Sequence, residues 1–205
     1  MQNRKAIVFI GPKGCGSKEY VRHLSTRIRA GKPLVINTSE VLAALSDRRI
    51  AHQMKAKRLI ADSVVIKAVG RYIKENGKKA RVLLFNGFPS TEGQASFISS
   101  ERGHRLLDVD SIIIVEMITP LAAGPKSRSE RRKELADQKQ IALLTRLLTK
   151  TNTVHLCIKP IGNMESTNRA ILESVLPYLQ IRAPQYNPAI PLLPQRAPAR
   201  TSVSA

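Results

Sequence analysis

Five short apolar runs recur along the chain, at residues 6–10, 34–36, 82–85, 111–116 and 154–158, each rich in Val, Ile and Leu. Runs of this length without polar alternation predict strands buried on both faces, as in a parallel sheet. The stretches between them space apolar residues three and four apart instead. That spacing predicts helices over 17–30, 39–46, 48–56, 62–76, 91–102, 130–150 and 166–179. Ser166 is the expected N-cap of the last helix, because Arg169, Ala170, Ile171, Val175 and Leu176 follow at helical spacing. Strands alternating with helices predict an α/β fold, a parallel sheet with helices packed on both faces. No internal repeat interrupts this order.

The pattern stops after Leu179. Five prolines fall between Pro184 and Pro198, and residues 180–205 contain no Asp or Glu. Such a stretch disfavours helix and central strand. Residues 1–179 are therefore expected to form one domain and 180–205 a Pro-rich basic extension, either a loose tail or an arm that orders on a partner. No run reaches the ~18–20 consecutive apolar residues of a membrane span. A strand starting at residue 6 leaves no visible cleavable targeting signal, so an intracellular protein is expected, cytoplasmic or in an organelle such as the mitochondrion. Cys15 and Cys157 have no metal-ligand spacing, suit a reducing compartment, and are expected as small packed side chains. His23, His52, His104 and His155 are scattered as well. Surface or packing roles are expected for them, and no metal site.

Charge changes the picture. Lys plus Arg total 34 against 15 Asp plus Glu, a formal net of +19. Such an excess repels itself in a free monomer and favours polyanionic partners. Structured RNA, with ribosomal proteins around it in a large particle, is the natural counter-charge. The excess is concentrated in Arg48, Arg49, Lys55, Lys57, Arg58, Lys67, Arg71, Lys74, Lys78, Lys79 and Arg81, which face only Asp62 and Glu75 in that segment. These residues read either as a solvated helical face or as an RNA-binding surface. Tyr72 is the one aromatic residue among them, so base stacking on single strands has little support. Contacts to the backbone and shape of folded RNA fit better. Neither a membrane partner nor sequence-specific DNA reading is expected.

The turn after the first strand reads IGPKGCGSKE, residues 10–19. Gly11, Gly14 and Gly16 lie between a buried strand and a helix, where backbone N–H groups can converge on a phosphate. A second segment, LLFNGFPSTEGQA at residues 83–95, follows the third strand. Together the two resemble adenylate kinases and related nucleoside monophosphate kinases, whose loop reads G-x-P-G-x-G-K-G-T and whose later segment reads L-D-G-F-P-R-T-x-x-Q-A. Gly87, Phe88, Pro89, Thr91, Gln94 and Ala95 fall in register with the latter. VINTSEVL, residues 35–42, and RLIADSVV, residues 58–65, resemble two further family motifs in the right order. The resemblance implies a P-loop NTPase-type parallel sheet over residues 1–179. It also implies an acceptor-nucleotide lobe at about 38–80 and a short lid at about 119–140.

The departures from the family pattern concern charge. Ser17 stands for the phosphate-gripping lysine, Glu19 for the magnesium-holding Thr, Asn86 for the magnesium-organising Asp, and Ser90 and Ala43 for two phosphate-contacting arginines. Lys18 is adjacent, but neighbouring helix positions point roughly 100° apart. Phosphoryl transfer rests on positioning and charge stabilisation. At about 2–3 kcal/mol for each lost contact, the combined defect amounts to many orders of magnitude in rate, although such losses are not additive. What the resemblance carries over as a nucleotide pocket is Gly11, Gly14, Gly16, Ser17, Lys18, Thr38, Gly87 and Gln94, with ATP or AMP as a residual ligand, with or without Mg, and no cofactor required. Were the chain active, Lys18 and the lid arginines Arg128, Arg131 and Arg132 would carry catalysis. Three functions remain open: an inactive kinase-like component of a ribonucleoprotein such as a ribosome, a divergent working nucleoside monophosphate kinase, and a scaffold in another assembly.

Overall fold

The five apolar runs pair as one parallel sheet in the computed structural model, which describes residues 4–12, 14–28, 32–45, 47–56, 58–118, 127–149, 153–161 and 163–179. The strands are β1 (Lys5–Ile10), β2 (Leu34–Asn37), β3 (Val82–Asn86), β4 (Ser111–Met117) and β5 (Thr153–Ile158), in the spatial order β2-β3-β1-β4-β5. The helices are α1 (Ser17–Arg27), α2 (Thr38–Ala43), α3 (Arg48–Lys55), α4 (Asp62–Asn76), α5 (Glu92–Ile98), α6 (Glu101–Leu107), α7 (Arg128–Leu148) and α8 (Met164–Val175), with a 3-10 turn at Leu176–Leu179. The α/β expectation holds. The proposed extension at 180–205 lies outside the described residues.

Side chains alternate across the sheet as the period of two requires. Ala6, Val8, Ile10, Leu83, Phe85, Ile112 and Ile114 face one layer, where α2 to α7 bury Val41, Leu42, Val69, Ile98, Leu144 and Leu148 against them. Ile7, Phe9, Leu84, Ile113 and Val115 face the other layer, formed by Tyr20, Val21 and Leu24 of α1 with Ile171 and Val175 of α8. The central strand β1 is apolar on both sides because both sides are covered.

Three helix expectations are corrected. The single helix over 91–102 is two, α5 and α6, because Ser100 Oγ accepts the Gly103 N–H and starts a new helix. Gly103 sits so close to the Phe97 carbonyl that any side chain there would collide with it. The N-cap of α8 is Asn163 rather than Ser166. Asn163 Oδ1 accepts the Ser166 N–H at 2.9 Å, which makes Ser166 the third residue of the helix and not its cap. The first helix ends at Arg27, where Ile28 leaves helical geometry and donates its N–H back to the Leu24 carbonyl.

The opposite end of the sheet, where the strands begin, is fastened by Arg4, only 4 % exposed. Its Nε donates to the Ala80 carbonyl at 2.9 Å, and Nη2 donates to the Gly77 carbonyl at 2.8 Å, the end of α4. Its Nη1 lies 3.3 Å from the Asp108 carboxylate just past α6. One guanidinium thus donates to the Ala80 carbonyl and adds a second donor to the Gly77 carbonyl, which also accepts the Ala80 N–H. Arg4→Met, which keeps the stem, should cost about 1–3 kcal/mol by removing buried donors from the Ala80 and Gly77 carbonyls. Urea unfolding should show a lower midpoint with an unchanged slope, while Lys79→Met at an exposed position shifts stability by less than about 0.5 kcal/mol.

Candidate functional site

Right-handed crossovers place the site. The chain leaves β1 toward β2 over the α1 face, but leaves β3 and β4 in the other direction over the opposite face. The C-terminal end of β1 is therefore a topological switch point, where a crevice opens between diverging connections. The glycine loop occupies it. Gly14 and Gly16 hold φ of 84° and 85°, a left-handed backbone that favours glycine. Gly16 is also the N-cap of α1 and has no side chain to cap it; in the first turn the Cys15 thiol takes up the Ser17 N–H.

Among the described residues, the side chains that meet at the loop form a neutral contact. Ser17 Oγ donates to Asn86 Oδ1 at 3.2 Å, joining the two positions at which the resemblance implies a lysine and an aspartate. Cys15 Sγ lies back against Gly11, and burial pushes its thiol above the ordinary value, which keeps it protonated and unreactive. Lys18 is exposed and lines a cavity of about 250 Å³ on the flank of α1, together with Glu19, Arg22, Asn37, Glu40 and Asn86. Lys18 and Arg22 are offset there by Glu19 and Glu40, so the cavity is not an anion well.

The residues carried over for the acceptor nucleotide are engaged within the protein. Thr38 Oγ1 donates to the Asn86 carbonyl at 3.1 Å, and Gly87 lies beside it. Gln94 is 2 % exposed. Its Oε1 accepts from the Ser90 N–H at 2.9 Å and the Ser90 hydroxyl at 3.1 Å, while Nε2 donates to Asp62 Oδ1 at 2.8 Å. The same Asp62 oxygen accepts from Thr91 Oγ1 at 2.7 Å. Asp62 thus ties the start of α4 to the start of α5. Sequence reasoning placed it in the RLIADSVV motif and counted it as an acid in a basic segment, but gave it no role.

The lid region divides. Residues 119–126 lie outside the described residues, and the rest of it is the first half of α7, opened by a capping box between Ser127 and Glu130. Arg128, Arg131 and Arg132 are exposed on that half, as is Leu135 at 52 %. The basic residues of the acceptor lobe are exposed too: Arg48, Arg49 and Lys55 on α3, Arg58 after it, Lys67, Arg71 and Lys74 on α4, and Lys78, Lys79 and Arg81 leading into β3. Lys57 lies outside the described residues. Lys67, Arg71 and Lys74 stand at i, i+4 and i+7, one stripe of about 10 Å along the outer face of α4. Arg71 pairs with Glu75 at 2.7 Å, an exposed contact that solvent screens and that a phosphate can readily replace.

The chain matches no family model and no curated protein. The kinase resemblance rests on its motifs alone.

One constellation escaped the sequence reading. Cys157, expected as a packed side chain, is exposed on β5, two residues from His155 and across the β4–β5 pairing from Glu116. His155 Nε2 lies 2.7 Å from Glu116 Oε2 and 3.6 Å from Cys157 Sγ. Partial burial and then the Glu116 carboxylate push the Cys157 thiol up. The signal that was available is His-x-Cys inside a strand, since alternate residues share a face. The other histidines take surface or packing places: His52 is exposed on α3, His104 half-buried on α6, and His23 half-buried on α1, where burial and then Arg27 lower its pKa.

Asp62→Ala should remove the shared acceptor of Gln94 and Thr91 and destabilise the chain by about 1–3 kcal/mol. Asp62→Asn retains one oxygen and should lose less. Equal urea midpoints for the parent and Asp62→Ala would show that these bonds carry no stability.

Proposed function

We propose that the chain is a catalytically silent, adenylate-kinase-like protein that binds structured RNA and serves as a structural component of a ribonucleoprotein, a ribosome being the particle of first choice. The observation that carries this reading is the exposed stripe Lys67, Arg71 and Lys74 on α4, continued by Lys78, Lys79 and Arg81 at its end. A helix face bearing one cation per turn meets a phosphate backbone by charge alone, releases counterions, and needs no aromatic partner. The neutral Ser17–Asn86 contact in the glycine loop supports the loss of catalysis, because it stands at the two positions where the resemblance implies a phosphate-gripping lysine and a magnesium-organising aspartate.

A second reading has one observation in its favour. The glycine loop keeps its left-handed turns and a helix start whose N-cap has no side chain, which suits residual binding of ATP or AMP through backbone N–H groups. On the leading reading, neither nucleotide binds tighter than about millimolar and no phosphate moves between ATP and a panel of nucleoside monophosphates. Measured turnover would transfer the role to a divergent kinase.

The RNA reading has a direct test. Lys67→Glu, Arg71→Glu and Lys74→Glu together should weaken binding to a folded RNA hairpin at least about tenfold and flatten the slope of log affinity against log salt by about 2–3. Reversing Arg128, Arg131 and Arg132 on α7 is the control of equal charge. Equal losses from both triples, or none from the α4 triple, would contradict the assignment of the interface.

A further inference from the structure

Sheet register assembles a second cluster, one strand over from the end of β1: Glu116 is also the partner of Ile10, the residue before the glycine loop. In the β4–β5 ladder Ile114 is opposite His155 and Glu116 is opposite Cys157. With a period of two, Glu116, His155 and Cys157 project from the same side of the sheet. That side is the α7 side, where Leu144 and Leu148 cover Ile112 and Ile114. Val154, Leu156 and Ile158 alternate toward the other layer. The edge strand therefore presents a histidine and a cysteine, both exposed, next to a partly buried carboxylate.

The geometry distinguishes two kinds of chemistry. A thiol–imidazole–carboxylate relay needs the thiol on one ring nitrogen and the carboxylate on the other, so that a proton can pass across the ring. Here Glu116 Oε2 and Cys157 Sγ both approach the same nitrogen, His155 Nε2, at 2.7 Å and 3.6 Å. No relay follows from that arrangement. Three donor atoms converging within 4.8 Å of one another instead surround a point where a cation can replace the shared proton.

The spacing suits a particular class of ion. Around tetrahedral zinc, bond lengths of about 2.3 Å to sulfur and 2.0–2.1 Å to nitrogen or oxygen put sulfur and nitrogen roughly 3.6 Å apart, and nitrogen and oxygen roughly 3.3 Å apart. The first separation is already met, and the second needs an opening of roughly 0.6 Å by exposed side chains. Thiolate, imidazole and carboxylate together form a borderline donor set, which selects zinc-like transition metals over magnesium or calcium. Thr145 Oγ1 donates to Glu116 Oε2 at 3.2 Å and orients the carboxylate from α7.

We propose that Glu116, His155 and Cys157 form a three-ligand site for a zinc-class divalent ion on the edge strand β5, with the fourth position open to water. Thiolate and carboxylate balance the two charges of the ion, which suits a half-exposed site.

Cobalt titration of the full chain under reducing conditions tests this, since a cysteine ligand produces a thiolate-to-cobalt charge-transfer band. The expected result is one cobalt per chain with that band, displaced by zinc. Cys157→Ser abolishes the band, His155→Ala and Glu116→Gln each weaken binding more than about 100-fold, and Thr145→Val weakens it about tenfold with the band retained. Cys15→Ser changes nothing. A stability readout stands beside the spectra: zinc should raise the urea midpoint of the parent but not that of Cys157→Ser. Absence of the band in the parent, its survival in Cys157→Ser, its loss in Cys15→Ser, or equal stabilisation of parent and Cys157→Ser by zinc would each overturn the proposal.

Discussion

Burial of a parallel sheet on both faces is the constraint from which the rest of this structure follows. A parallel strand can be reached only by a crossover long enough to carry a helix, and the crossover is right-handed. With the order β2-β3-β1-β4-β5, the connection from β1 must pass over one face while those from β3 and β4 pass over the other. The end of β1 is then the place that neither layer of helices covers. A glycine loop there has both space above it and a helix start beneath it. The same constraint leaves β5 at the edge, where α7 covers β4 and leaves His155 and Cys157 to solvent.

Two electrostatic facts within this frame point in opposite directions. At the switch point, Ser17 and Asn86 form a neutral contact, and the neighbouring cavity balances Lys18 and Arg22 with Glu19 and Glu40. On the outer face of α4, cations stand one turn apart with little acid between them. Internal binding of a small polyanion needs charge concentrated in a crevice; external binding of a long one needs charge spread over a surface. This chain has the second arrangement. Its acceptor-side polar groups meanwhile hold the scaffold together, Asp62 serving Gln94 and Thr91 where a ligand would compete for them.

All five strands were legible to within a residue: β1, β3 and β4 are buried on both faces and written as near-continuous apolar runs, while the edge strand β5 shows through Val154, Leu156 and Ile158 on its covered face. Helix ends were less legible. The break between α5 and α6 depends on Gly103 lying against the Phe97 carbonyl, a contact between neighbouring elements that periodicity does not encode. Asn163 caps α8 ahead of Ser166 because the cap side chain reaches forward to the third residue of its helix, so the two polar residues compete for one role. Arg4 is by composition one cation among many, yet it is buried among carbonyls from distant connections. The Glu116, His155 and Cys157 cluster needs the β4–β5 register, a long-range pairing that no spacing along the chain reveals.

Basic charge displayed outside and a neutral contact at the switch point are the observations on which the proposed role in an RNA particle rests. The most direct measurement is sedimentation of the native protein from gently lysed cells through a sucrose gradient, with and without RNase. Co-migration with ribosomal particles that RNase abolishes is the expected result. Slow sedimentation as a free monomer, unchanged by RNase, would contradict it.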